Sequence, residues 1–368
     1  MRILRKLVGT IVVLSAIAAV PAVYLAAVCT GRDGGSTAIS SLVPPELRQQ
    51  LDALPGYREE EARSYLSYPD WYAIFVARDY ARFIDNRYPS GFGFLTAALE
   101  YWRGYCAVNR YASVHYPFDW RANLGLYAYG IGHSVKYTLN GLYENTIGRL
   151  SEAFAPVTAS AEDLFARSFA DDYSEWLLSA PWYDYPFFSR LQNFWESVPF
   201  LGPGQIRKLE RRFALSAELA INGGHAALVK DRPQAAGEPQ EEIHAVMKGL
   251  PGDTGAIDGR IRVLQTFDGG LQLVQFPRGE VFSEIAPKFV GRGAQFLEIA
   301  GNDTILITAT GRNGWSPPDD VGERLFETPI LSGDGGTRFG ISVPVPMLIT
   351  AIEMIATSGG RFERVYDY

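Results

Sequence analysis

Two stretches of 24 residues decide how this chain is read: 79–102, DYARFIDNRYPSGFGFLTAALEYW, and 172–195, DYSEWLLSAPWYDYPFFSRLQNFW. Asp79-Tyr80 returns as Asp172-Tyr173, Phe94 as Phe187, Tyr101 as the aromatic Phe194, and Trp102 as Trp195, all at an offset of 93. Further on, Ser134, Asn140 and Gly141 return as Ser216, Asn222 and Gly223 at an offset of 82. The first copy therefore carries 11 extra residues between Trp102 and Ser134, in a segment holding Tyr111, His115, Tyr116 and Trp120. A constant spacing across separate landmarks is the signature of an internal repeat.

Aromatic residues within each copy fall at helical steps, Phe75, Tyr80 and Phe83 in one and Phe165, Phe169 and Trp176 in the other. Prolines such as Pro89, Pro181 and Pro203 punctuate these helices rather than interrupt them. Residues 57–232 are thus expected to form an all-α, aromatic-rich bundle, a tandem repeat of about 72–143 and 165–225.

Upstream, Arg2, Arg5 and Lys6 (1–6, a basic stub) precede Leu7–Cys29, 23 residues without a formal charge. At 1.5 Å per residue they span about 34 Å, enough for a bilayer core. The positive flank keeps the N-terminus cytoplasmic and sends the rest outward, so 7–29 is expected to be a transmembrane signal-anchor and the bulk extracytoplasmic, periplasmic in a bacterium. A cleavable signal peptide ending near Val20-Pro21-Ala22 and a lipid-modified Cys29 are the competing readings, and both also export the chain. Cys29 at the membrane and Cys106 among the aromatics are not expected to pair. Residues 30–56 read as a linker.

The composition changes again at 233–257, which is rich in Pro and Gly and reads as a second linker. Beyond it, 258–368 is expected to be an α+β domain. Strands at 261–267 and 271–276 flank the turn Asp268-Gly269-Gly270, whose residues tolerate positive φ. A helix at 279–291, strands at 295–299 and 304–309, a strand at 338–343, a helix at 347–356 and a strand at 361–366 follow. Pro277 and Pro344 differ by 67, and Gly293 and Gly359, like Phe296 and Phe362, by 66. Two related strand–helix–strand units in one sheet give a ferredoxin-like arrangement.

The net charge of −7 and the lack of a basic run exclude a nucleic-acid partner. Two cysteines exclude a disulfide scaffold, and no GxSxG or phosphate-binding glycine motif occurs. Glu241-Glu242-Ile243-His244 reads as a solvated charge run, and no cofactor signature stands out.

What can carry function is a polar stripe on apolar helices. His133, Tyr137, Asn140 and Glu144 share one face, with Lys136 beside them; Arg211, Glu218, Asn222 and His225 share a face in the second copy. Lys136 and Glu218 are equivalent at the offset of 82 and are expected to pair across a pseudo-twofold axis. Such groups must find partners in one another, in a ligand or in a metal. Two histidines and two glutamates can hold Fe, Mn or Zn, although their spacing is not that of a known site. The expected function is a non-enzymatic envelope protein, anchored in the membrane and binding a protein partner, a second copy of itself, or an apolar small molecule or lipid. A membrane-anchored enzyme using the polar faces is the first alternative. A multi-span membrane component, with 122–143 as a second span, is the other.

Overall fold

The computed structural model describes Cys29 and residues 42–60, 62–117, 119–156, 158–230, 241–312 and 314–367. Of the expected membrane anchor, only Cys29 falls within these residues. No helix among them, the one covering 122–143 included, is long and apolar enough to cross a membrane.

A short helix, α1 (Pro45–Asp52), and a single turn at Arg63–Leu66 lead into six longer helices. These are α2 (Tyr68–Asn86), α3 (Phe94–His115), α4 (Trp120–Tyr143), α5 (Ala161–Trp176), α6 (Phe187–Ser197) and α7 (Gln205–Lys230). Asp119 caps α4 by accepting from the backbone N–H groups of Arg121 and Ala122, and Ser160 caps α5 through Asp163 N–H. A π-helical turn, Glu144–Gly148, extends α4.

The landmarks spaced by 93 and 82 make the same contacts in both halves. Trp102 Nε1 donates to Ser134 Oγ at 2.7 Å, and Trp195 Nε1 donates to Ser216 Oγ at 3.1 Å. Tyr80 meets Phe92 edge-on at 5.1 Å, as Tyr173 meets Tyr185 at 5.0 Å. Helices α2, α3 and α4 thus correspond to α5, α6 and α7, and α2 packs along α5. Close packing of α3 on α4 depends on Gly141: a Cβ there would stand 2.9 Å from Phe94 Cβ.

The C-terminal half contains two four-stranded antiparallel sheets rather than one. The first comprises β1 (Glu242–Lys248), β2 (Arg262–Thr266), β3 (Leu271–Pro277) and β4 (Gln295–Ile299), ordered β2-β3-β1-β4. The second comprises β5 (Thr304–Gly311), β6 (Glu323–Pro329), β7 (Thr337–Pro344) and β8 (Arg361–Tyr366), ordered β6-β7-β5-β8. Helix α8 (Glu280–Ile285) precedes β4, and α9 (Leu348–Thr357) precedes β8. Each unit is therefore strand–strand–strand–helix–strand with the same order. The ferredoxin-like expectation is corrected here, because each unit forms a sheet of its own and holds one strand more than the sequence pattern revealed. The sequence pattern does not disclose β1, which lies within the 233–257 linker, or β6, which lies between the strands expected at 304–309 and 338–343.

One apolar core joins the two sheets, with Phe276, Phe282 and Phe296 from the first and Ile307, Ile341 and Ile355 from the second. The outer faces are covered by the N-terminal elements. Leu47, Leu51 and Tyr57 lie on the first sheet, where Tyr57 OH donates to buried Glu298 at 2.7 Å. The helices cover the second sheet. Ser64 Oγ accepts from Leu306 N–H at 2.9 Å and donates to Tyr366 O at 2.6 Å, joining β5 and β8 at their end.

Cys29 and Cys106 form a disulfide, which corrects the expectation that they stand apart. Cys106 is buried in α3, so the last residue of the apolar stretch is tied to the centre of the first helical unit.

The two equivalent tryptophans differ in burial, Trp102 being 4 % exposed and Trp195 52 %. Trp102→Phe strands the buried Ser134 hydroxyl and opens space, and is expected to cost about 2 kcal/mol in urea unfolding. Trp195→Phe is expected to cost about 0.5 kcal/mol or less, since water replaces its partner.

Candidate functional site

Helices α4 and α7 stand on either side of a groove of about 550 Å³, with α2 and α5 beneath it. Seven of the nine residues singled out in the sequence line it: Lys136, Tyr137, Asn140, Glu144, Arg211, Glu218 and Asn222. Its walls contain pairs of equivalent residues from the two units. Tyr80 and Tyr173, Lys136 and Glu218, Leu139 and Ile221, and Asn140 and Asn222 all contribute. The groove therefore lies where the two units meet.

The polar groups divide into two sets. Arg211 and Glu144 form a buried ion pair at 2.9 Å, and Arg211 also binds Glu210. Glu210 in turn accepts from Tyr143 OH at 2.9 Å and Ser151 Oγ at 2.8 Å. Beside them Arg207 pairs with Asp163 at 2.7 Å, while Lys208 and Arg212 share Glu162 at 2.7 and 2.9 Å. All four cations are buried, and each has a carboxylate. Burial raises the Glu144 carboxyl and Arg211 opposes that rise. Burial by itself would lower the Arg211 guanidinium, but the bonds to Glu210 and the charge of Glu144 hold it well above its ordinary value. This end of the groove is a closed network that fixes α7 against α5, and it is structural.

The second set is Lys136, Asn140, Glu218 and Asn222. These half-buried side chains make no hydrogen bond or ion pair among the described residues. The pairing expected for Lys136 and Glu218 does not form; the groove separates them. The phenols of Tyr80, Tyr137 and Tyr173 are raised, first by burial, and in each case also by the charge of Glu218. All three remain protonated donors at neutral pH, within the field of Glu218.

The two histidines do not join the site. His133 is buried with its ring 4.3 Å from Tyr137 and 5.2 Å from Tyr101, and Nε2 lies 3.3 Å from Ala97 O. His225 is exposed, with its ring 4.8 Å from Trp182. A helical wheel gives the angle of a residue but not what stands opposite it at that height along the axis. Among the described residues no three His, Cys, Asp or Glu side chains are gathered to hold a metal ion. His244 belongs to β1 rather than to a solvated run, and its imidazole is lowered by burial.

No known family matches the chain, and neither does any curated protein or solved structure.

The rims of the groove are apolar. On α7, Ile206, Leu209, Phe213, Ile221 and Leu228 lie within an arc of roughly 120° and are all exposed. On α4, Trp120, Leu124, Leu139 and Leu142 make a similar outward stripe. Both helices expose aliphatic stripes, and α7, which also buries four cations, reverses the usual arrangement of a surface helix; a patch of this kind marks an interaction surface. Periodicity located the polar face of α7. It did not show which of its faces points outward, because both were amphipathic candidates.

His133 gives the helical fold a pH dependence that can be measured. Burial lowers its imidazole to about 3. Between pH 6.5 and 3 the unfolded chain binds a proton that the folded chain excludes, so stability falls with pH by about 1.4 kcal/mol per unit in that window. From pH 7.5 to 5.0 the natural chain is expected to lose about 2 kcal/mol more than His133→Phe, measured by urea unfolding at both values. Equal losses would mean that His133 is protonated in the folded state.

Proposed function

We propose that this chain is a membrane-anchored, extracytoplasmic binding protein whose helical region is a tandem repeat holding an amphiphilic small molecule between α4 and α7. The observation that carries this reading is the groove itself. Its volume lies in the range of ligand pockets, its walls are aromatic and aliphatic, and a few polar side chains without protein partners converge on it. Four half-buried polar side chains without protein partners in one apolar-walled groove supply the few convergent polar groups of a ligand pocket.

Three further features support the membrane context. The uncharged stretch 7–29 is long enough for an anchor. The disulfide fits an oxidising compartment outside the cytoplasm. If Cys29 leaves the bilayer where the apolar stretch ends, then Cys106 and the first helical unit lie at the membrane surface. The exposed apolar stripes of α4 and α7 then have lipid, or a second copy of the chain, within reach.

The test is to purify the full chain from membranes in dodecyl maltoside and extract what remains bound. About one amphiphile per chain is expected by mass spectrometry. Ala217→Trp, which fills the groove from α7, is expected to lower the retained amount by about tenfold without moving the unfolding midpoint by more than about 1 kcal/mol. Equal retention by both proteins would show that the lipid sits elsewhere. No retained or added amphiphile would leave the groove without a ligand of this class.

A further inference from the structure

We infer that the ligand is a zwitterionic amphiphile: its anionic group meets Lys136, its cationic group meets Glu218, and its apolar tail leaves over Leu139 and Ile221. This rests on the binding function proposed above and names the chemistry of the same groove.

The argument begins with the two positions that break the symmetry of the walls. At the offset of 82, Asn140 is matched by Asn222 and aliphatic Leu139 by aliphatic Ile221, but Lys136 is matched by Glu218. Opposite charges thus stand at equivalent places in the two units, and neither has a partner among the described residues. A half-buried charge facing an apolar groove forfeits part of its hydration, so each favours a counter-charge in the ligand. A ligand with only an anionic group would leave Glu218 uncompensated and nearby. A ligand with only a cationic group would do the same at Lys136. Rejection by the like charge is the element that creates specificity, and only a ligand with both charges avoids it.

The remaining residues fit the same molecule. Asn140 and Asn222 each offer both donors and an acceptor, so they serve the ester and glycerol oxygens of a headgroup as well as its charged ends. The phenols of Tyr80, Tyr137 and Tyr173 line the same groove and stay protonated, so each can donate to a ligand oxygen. Leu139, Leu142, Phe213 and Ile221 all line the groove and are exposed, so its rim is apolar. A phosphate joined to an amine, with acyl chains attached, has this order of groups. The same headgroup also occurs without chains, and the apolar rim selects the form that carries them.

The experiment uses the full chain in dodecyl maltoside, titrated with four probes and read by native mass spectrometry. The probes are dioleoyl phosphatidylethanolamine, dioleoyl phosphatidylglycerol, dioleoylglycerol, and tail-less glycerophosphoethanolamine. Phosphatidylethanolamine is expected to bind at least about tenfold more tightly than phosphatidylglycerol or dioleoylglycerol, and about a hundredfold more tightly than the tail-less headgroup. Glu218→Gln is expected to reduce the preference for phosphatidylethanolamine over phosphatidylglycerol to within about twofold. Lys136→Met is expected to weaken both phosphate lipids, leaving dioleoylglycerol unchanged. The charge-exchanged double variant, Lys136→Glu with Glu218→Lys, keeps one charge of each sign across the groove and is expected to restore the preference. Restoration also shows that the single variants act through charge rather than through misfolding. Lipid binding with no headgroup preference, unmoved by either single variant, would overturn the zwitterion while the amphiphile-binding reading stands. Binding of the tail-less headgroup as tightly as the lipid would overturn the role of the tail. No binding of any of the four probes would overturn both readings.

Discussion

Four cations on one face of α7 have to be neutralised inside the protein, and that requirement fixes the helical half. Arg207, Lys208, Arg211 and Arg212 find Asp163, Glu162, Glu144 and Glu210, supplied by α5, by the π-turn after α4 and by α7 itself. Taking one partner from such a buried pair costs about 3–5 kcal/mol, so the register of α7 against α5 and the π-turn is not free to slide. Once that face is inward, the stripe from Ile206 to Leu228 is outward. The next turns of the same helix, with Glu218 and Asn222, become one wall of the groove. The network, the exposed stripe and the groove are consequences of one rotational setting of one helix.

The sequence disclosed features that depend on spacing and concealed those that depend on what lies opposite. Trp102 and Trp195 could be matched at an offset of 93, and their bonds to Ser134 and Ser216 follow from that equivalence. The hairpin of β2 and β3 was legible because Gly269 and Gly270 both take positive φ, at 75° each. Strand β1 was not. It is an inner strand whose consecutive residues Ala245, Val246 and Met247 are all buried, so it lacks the alternation of a half-exposed strand, and it borders a Pro/Gly-rich stretch. Strand β6 lies at a sheet edge with Glu323, Arg324 and Glu327 exposed, which gives it the polarity of a loop.

The candidate site was legible to the same degree and for the same reason. Seven residues were placed on the correct faces by a period of 3.6, and the faces do converge. The partners were not legible, because pairing depends on the distance across the interface of the two units. Equivalence suggested that Lys136 and Glu218 meet; the groove between α4 and α7 keeps them apart. Arg211 and Glu144 do meet, although they are not equivalent to each other, because the π-turn brings Glu144 back under α7.

The 11 residues that distinguish the first unit explain why two similar units have different surroundings. Helix α6 ends at Ser197, the equivalent of Gly104, whereas α3 continues through Tyr105–His115. That extension carries the contacts that the second unit lacks. Cys106 joins Cys29, and Tyr111 OH accepts from Ser342 Oγ at 2.8 Å on the second sheet. Just beyond it, Tyr116 OH lies 2.6 Å from Thr304 Oγ1. One insertion thus fastens the first unit both to the β half and to the end of the apolar stretch. The second unit keeps its own aromatic core of Phe169, Tyr185 and Phe187, and is joined to the rest chiefly through α2, the π-turn after α4 and the ion network. The groove therefore lies between a unit fastened to the β half through α3 and a unit whose wall, α7, is set in register by the buried ion pairs.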